Sequence, residues 1–347
     1  MSQPEAADTP FALLRDKQVV RLQADAQHSE SWHQWSQREI DALTLCLAAR
    51  RPLLVRGEPG TGKTQLARAA AQHLGWALHG ITVHARTEPQ DLLYRFDAVK
   101  RLADAQAQRE LTEADYWEPG PLWRAFGWRT AALYGSCRSL GLAPTGHVIL
   151  LDEIDKADSD LPNGLLEILG QRTQHIGALG LTIGGPGAAL PLVVITTNEE
   201  RELPPAFLRR CIVLNLQLEP TASYQDWLLA RGQAHFGAQG ALPARLADAI
   251  LLAAARQLCA DRRGANALDL PPPGAAEYLD LLTALHALAP GDAARQQALL
   301  DRLSPYAYVK HLADANTPQL SQRRAPEPMA AVPAGQPPAP PLANRPA

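Results

Sequence analysis

The stretch "RPLLVRGEPGTGKT", Arg51 to Thr64, constrains the fold more than any other part of the chain. "PLLV" at 52–55 reads as a short buried strand, and "KTQLARAAAQHLG" as a helix ending at Gly75. Between them, Gly57, Glu58, Pro59, Gly60, Thr61, Gly62, Lys63 and Thr64 satisfy GxxxxGK[ST] at every fixed position. Glycines at this spacing let backbone N–H groups wrap a phosphate without side-chain clash. The helix that starts there adds the positive end of its dipole. By the logic of the motif, Lys63 reaches the β- and γ-phosphates and the Thr64 hydroxyl ligates Mg²⁺. A strand before and a helix after are the context that separates this loop from a chance glycine-rich turn.

The chain keeps alternating after this loop. "LHGITV" at 78–83, "HVILLDE" at 147–153, "LPLVVITTN" at 190–198 and "CIVLNLQ" at 211–217 read as strands separated by helical patterns. That order predicts an α/β fold whose parallel sheet is covered on both faces. From about Glu219 only helical patterns follow, among them "LADAILLAAARQLCADRR", "GAAEYLDLLTALHAL" and "ARQQALLDRLSPYAYVKHL". They predict a smaller, all-helical C-terminal lid. The expected division is an N-terminal segment over 1–35, an α/β domain over 36–218, the lid over 219–315, and a Pro- and Ala-rich disordered tail over 316–347. In "HSESWHQW", Trp32 and Trp35 are expected to pin the N-terminal segment to the domain rather than to build a metal or base-stacking site. Trp117 and Trp123, in "WEPGPLW", are likewise expected to pack against the domain; a pore or client surface is the alternative.

Three further strand ends carry chemistry. "HVILLDEIDKAD" closes an apolar strand with two carboxylates, so Asp152 is the candidate for holding Mg²⁺ and Glu153 for polarising an attacking water. A base for water favours hydrolysis over transfer to a bound substrate. "VVITTN" ends in Asn198, a candidate for orienting that water. "LPPAFLRRC" predicts a short helix that ends at Arg209 and Arg210, just before the fifth strand. Read alone, Asp152–Glu153 is also compatible with a strand-to-turn junction, Asn198 with a polar strand cap, and the two arginines with a solvated helix end.

Composition narrows the function classes. Lysine plus arginine total 33 against 36 aspartate plus glutamate, a net charge of -3, so no polyanion partner is indicated and nucleic acid is not expected. Cys46, Cys137, Cys211 and Cys259 stand far apart, which rules out a zinc knuckle or a CxxC pair and predicts buried, reduced thiols. "MSQPEAADTPFALLRDK" lacks the pattern of a secretory leader, and no apolar run reaches membrane-spanning length. The expectation is a cytoplasmic protein that does not enter a membrane.

Taken together, Gly57–Thr64, Asp152–Glu153, Asn198 and "FLRRC" resemble the AAA+ ATPases over roughly residues 36–290. Within that superfamily the chain is most similar to the MoxR-type and dynein-related group. The features that carry this are "TEPQDLLYRFDAVKRLADAQ" at 87–106, where the group has an insertion, the "YWEPGPLWRAF" segment at 116–126, and "QRTQHIGALGLTIGGPGAALPLV" at 171–193, which has room for a hairpin before the fourth strand. The resemblance implies a P-loop sheet of order 5-1-4-3-2. It implies ATP with Mg²⁺ bound between subunits of a homo-oligomeric ring, commonly a hexamer. Walker A is then Gly57–Thr64, Walker B Asp152 and Glu153, and sensor 1 Asn198. Arg210, with Arg209 as second choice, acts in trans. It further implies a chaperone-like role on a client complex, often with a partner carrying a von Willebrand factor A domain. The alternatives are an ATP-dependent switch or scaffold of a bacterial defence system, and a DNA-associated motor. One departure stands out. The family's lid-helix arginine, sensor 2, falls where this chain has Gly274, Ala275 and Ala276, with Arg262 or Arg263 as substitutes just upstream.

Overall fold

In a computed structural model of the protein, the described residues are 10–25, 28–139, 141, 143–171, 173–185, 189–216, 223–238 and 244–308. The expected tail over 316–347 lies outside them, as do residues 309–315.

The chain opens with an antiparallel hairpin, β1 (Val19–Leu22) and β2 (Ser31–Gln34), followed by α1 (Gln37–Ala49). Ser36 starts α1 with a reciprocal capping box to Glu39, the local reason the helix begins there. The hairpin is a correction to the sequence reading, which saw no regular structure before Ser36. Its strands are four residues long and mixed in polarity. The tryptophans do pin it. Trp35 is buried against Phe11 and His73, and the buried Arg68 guanidinium donates to Ser31 Oγ and to the Gln23 and Ser29 carbonyls.

Then comes the α/β body. β3 (Leu53–Arg56) leads through the glycine-rich loop into α2 (Lys63–Leu74), whose left-handed C-cap is Gly75. β4 (Ala77–Thr82) follows. β5 (Tyr94–Phe96) and β6 (Trp117–Pro119) form an antiparallel pair around α3 (Ala98–Gln106). Short helices α4 (Pro121–Phe126) and α5 (Trp128–Ala131) precede β7 (His147–Asp152). After α6 (Asp160–Gln171), the hairpin expected before the fourth sheet strand is present as β8 (Thr173–Ile176) and β9 (Leu181–Gly184). β10 (Leu192–Thr197), α7 (Pro205–Leu208) and β11 (Ile212–Asn215) complete the body.

The central sheet is parallel, in the order β11-β3-β10-β7-β4. In units of its five strands this is 5-1-4-3-2, the expected order. Side chains alternate between two cores, as strand geometry requires. Leu53, Val55, Val148 and Leu150 pack on α1 and the alanine-rich face of α2. Leu54, Ile149, Leu151 and Ile195 pack on α4, α6 and α7. Trp123 is fully buried and donates to Thr130 Oγ1 at 2.8 Å, while Trp117 packs on Tyr94 and Phe96, so both serve as packing residues. The four cysteines are free and buried.

The remaining helices are α8 (Tyr224–Phe236), α9 (Asp248–Ala267), α10 (Ala275–Leu288) and α11 (Ala293–Tyr308). They enclose a separate core built around Leu251, Leu258, Tyr278, Leu282 and Tyr308. Among the described residues, no helix is long and apolar enough to cross a membrane.

On β4 and β7, away from the loop, His79 Nε2 lies 2.9 Å from His147 Nδ1, with Trp128 tilted against both rings. Burial pushes the His79 imidazole down to about 3, and His147 and Arg124 add to the effect. Burial also lowers His147. A histidine held neutral in the fold contributes stability that is complete above its unfolded value, about 6.5, and is lost as pH falls towards the folded value. Between pH 6.5 and 5, one such group accounts for roughly 2 kcal/mol. Urea titrations at the two pH values should show this loss, and His79→Phe should shrink it. An unchanged loss in the variant would assign the acid sensitivity elsewhere, His235 being next in line because burial lowers it to about 4.

Candidate nucleotide site

The candidate site lies at the carboxyl ends of β3, β7 and β10, where the sheet leaves backbone and polar side chains facing one cleft. The glycine-rich loop turns through positive φ at Gly60 (78°) and Gly62 (98°), conformations that side chains resist. α2 starts directly from this loop, so its first-turn N–H groups have no intrahelical acceptors and are available to an anion. Lys63 is buried and donates from Nζ to the Gly57 carbonyl at 2.7 Å, the Glu58 carbonyl at 3.0 Å and Asn198 Oδ1 at 2.5 Å. Burial lowers its pKa, opposed by Asp152, Asp155, Glu153 and Glu199.

Thr64 Oγ1 lies 3.0 Å from both carboxylate oxygens of Asp152, at the tip of β7. A hydroxyl and a carboxylate so placed form a hard-oxygen pair suited to Mg²⁺ beside phosphates. The donor set therefore fits the ion the motif implies. Glu153 follows with φ 61° and ψ 50°, a left-handed conformation uncommon for a residue with a side chain. Thr196 on β10 holds this corner. It is fully buried, donates to Asp152 Oδ1 at 2.6 Å and accepts the Glu153 N–H at 2.9 Å. The Glu153 carboxylate accepts from Asn198 Nδ2 at 3.3 Å and pairs with Lys156 at 3.1 Å. Asp155 is buried and accepts the N–H groups of Asn198 and Glu200, fixing the turn beyond β10. The structure thus brings Lys63, Thr64, Asp152, Glu153 and Asn198 into one connected set.

Thr196 and Asp155 were not singled out in the sequence, although both lie inside quoted motifs. On the lid side of the cleft the sequence pointed only to Arg262, as a substitute for the lid arginine; Tyr224, Trp227 and Arg231 were missed. A cleft of about 280 Å³ runs between the loop and the lid, lined by Gly57, Thr61 and Asn198 on one side and Tyr224, Trp227 and Arg262 on the other. Tyr224 and Trp227 stack at 5.6 Å. Arg262 Nη2 donates to both carboxylate oxygens of Glu58 at 2.8 Å, its Nη1 donates to the Pro273 carbonyl at 3.0 Å, and the guanidinium lies over the Tyr224 ring. Arg231 lies over the Trp227 ring and close to Gly62; a methyl carbon added to that glycine would sit 3.6 Å from its Nη1.

The lid helix α10 begins at Ala275, and its first turn is pressed on the loop. A methyl carbon on Gly60 would come within 2.4 Å of the Ala276 backbone nitrogen. This is where the family arginine was expected, and alanines occupy it. Gly60→Ala adds both that collision and an unfavourable φ. It is expected to displace the lid and weaken nucleotide binding at least tenfold, measurable by equilibrium titration with ADP. Wild-type affinity would show that the lid contact is dispensable.

Arg209 and Arg210 are not in this cleft. Both are exposed at the end of α7, at the amino-terminal edge of the sheet. The gap from Arg51 to Gly57 is about 20 Å at the rise of an extended strand. The cavity at that edge, of about 880 Å³, is lined by Arg50, Arg51, Arg209 and Arg210, with Glu167 beside them.

A parallel sheet carrying a phosphate-wrapping loop, a Thr–Asp pair and an adjacent acid on the neighbouring strands defines a P-loop nucleoside triphosphatase. Residues 52–211 match the model of the AAA domain, dynein-related subfamily, and this part of the chain is an AAA+ ATPase domain of that type. Among curated proteins, Midasin of Giardia intestinalis is 27% identical over 192 residues, covering 53% of this chain and 3% of that protein. An uncharacterized protein of Methanocaldococcus jannaschii is 28% identical over 139 residues, covering 40% of this chain and 30% of that protein. The chain thus matches less than a third of the length of these relatives. Among solved structures, a candidate ATPase of Cytophaga hutchinsonii aligns with a TM-score of 0.37 at 15% identity, covering 77% of this chain and 78% of that one. A variant of Thermotoga maritima RuvB aligns with the same score and identity, covering 72% and 68%.

Proposed function

We propose that the protein hydrolyses ATP at sites shared between neighbouring subunits of a ring and uses the cycle to remodel a partner protein complex, as a MoxR-like ATPase. The observation that carries this reading is the separation of its parts. One subunit holds the loop, Lys63, Thr64, Asp152, Glu153 and Asn198 together, while Arg209 and Arg210 stand at the far edge of the same sheet. Those arginines cannot reach their own loop, so a second copy is their natural target.

In this reading the loop N–H groups and Lys63 bind the β- and γ-phosphates, and Thr64 and Asp152 hold Mg²⁺, which when bound neutralises phosphate charge. Asn198 orients a water and Glu153 takes its proton. Thr196 keeps both acids aimed, and Tyr224 and Trp227 shape the lid side of the cleft. A client carrying a von Willebrand factor A domain, and a hexameric ring, belong to the same reading. The lid's alanines at 275 and 276 favour a second version, in which turnover is slow and ATP occupancy serves mainly to switch or scaffold a complex.

The test is the dependence of hydrolysis on assembly. Specific activity should rise with protein concentration and parallel the particle mass measured with ATP by sedimentation. A monomer with full, concentration-independent activity would overturn the shared site.

A further inference from the structure

We propose that Arg51 is the positioning residue for Arg209 and Arg210, holding the backbone beneath them so that their side chains leave the sheet edge in a fixed direction. This rests on the shared-site reading above. Arg51 immediately precedes Pro52 and β3, yet its guanidinium is bonded about 160 residues away along the chain. Nε donates to the Arg210 carbonyl at 3.0 Å, and Nη2 donates to the Cys211 carbonyl at 3.3 Å and to the Arg209 carbonyl. One side chain thus gathers three successive carbonyls.

The sequence explains why these carbonyls need a donor. α7 ends at Leu208, and the Phe207 and Leu208 carbonyls accept from the Arg210 and Cys211 N–H groups; the carbonyls of Arg209, Arg210 and Cys211 lie past the helix end, with no further helical turn to supply donors. Phe207 and Cys211, both buried, fix the segment on its inner side. The two residues between them that carry the exposed guanidiniums have only their backbone to hold them. Among the described residues, neither Arg209 nor Arg210 forms an ion pair. Their direction is therefore set by the peptide groups that Arg51 grips. The same edge is bonded once more, since the Ile212 N–H donates to the Pro52 carbonyl at 2.8 Å. An arginine suits this task because its planar fork presents several donors at fixed angles, whereas a lysine ammonium is a single point on a flexible stem.

The test compares Arg51→Ala, Arg51→Lys and Arg210→Ala in the full chain, by ATP hydrolysis and by equilibrium binding of ADP. Both Arg51 variants should lower kcat by about ten- to a hundredfold, the scale of a displaced catalytic group, with ADP affinity within about twofold of wild type. Lysine should do no better than alanine. Arg51→Ala subunits keep their own loop, and Lys63→Ala subunits keep their arginines, so a mixture should exceed the summed activity of the two. An Arg51→Lys protein at wild-type rate would overturn the inference, because charge alone would then suffice. So would loss of ADP binding in step with hydrolysis, which would mark a role in folding the loop. If Arg210→Ala is inactive and Arg51→Ala is not, the brace alone fails. If alanine at both 209 and 210 leaves hydrolysis unchanged, the shared-site reading falls and the brace with it.

Discussion

Glu153→Gln is expected to slow ATP hydrolysis by about 10²- to 10⁴-fold, the usual contribution of a positioned base, while ATP stays bound. The substitution keeps the side chain's shape and its contact with Asn198 Nδ2 through the remaining oxygen. It also leaves untouched the groups that would hold phosphate, since Lys63, Thr64 and Asp152 are bonded to one another's surroundings and not to the Glu153 carboxylate. Its left-handed backbone is held by the Thr196 hydroxyl, which a side-chain amide does not disturb. The pair with Lys156 is lost, but that contact is partly exposed and worth little. Phosphate release in steady state and equilibrium binding of ATP separate the two effects. Rapid hydrolysis by the variant would remove Glu153 from the role of base; the neighbouring Asp155 is no ready substitute, since its carboxylate is already occupied by two backbone N–H groups.

The second large effect belongs to Arg210. Alanine there should cost about 10³-fold in kcat, the lower end for an arginine supplied to a transferring phosphoryl group, with nucleotide affinity little changed. Arg209→Ala should cost less. The informative measurement is complementation. Arg210→Ala and Lys63→Ala are each expected to be inactive, one lacking the outer edge and the other the cradle. Mixed, they should regain activity, because some boundaries then pair an intact cradle with an intact arginine. Mixtures that stay inactive while forming normal particles would return Arg210 to the solvated helix end that its sequence also allowed.

Much of this architecture was legible because buried parallel strands are written as apolar runs that stop at chemistry. "PLLV", "HVILLDE" and "LPLVVITTN" each declare both a strand and the residue at its tip. The strand order then followed from resemblance, and the observed sheet agrees with it. The β8–β9 hairpin was expected, but the other two antiparallel pairs were harder. β5 and β6 span three residues each and pair across α3, so no local period could reveal them. β1 and β2 hold the buried Trp35 region in place largely through Arg68, a residue that looks like any helix surface arginine until the fold closes over it.

The candidate site divides in the same way. The loop, the acids and Asn198 announce themselves because phosphate chemistry demands fixed types at fixed spacing. Thr196 acts through two hydrogen bonds to a different strand, and Tyr224, Trp227 and Arg231 reach the cleft from a lid helix about 160 positions later in the chain, where the sequence offered only Arg262 as a lid candidate. No spacing rule connects such residues. Arg51 is the clearest case: before its carbonyl partners are seen, it is one of two adjacent arginines in front of a strand.

The contact between Gly60 and Ala276 has a mechanical consequence. With less than a methyl group of room between the phosphate loop and the first turn of α10, the lid already rests against its stop. Its travel is one-sided. Any change that thickens the loop can only lift the helix, and any relaxation lets it settle back. The stop is built from two of the smallest residues available, in the place where the resemblance would put an arginine.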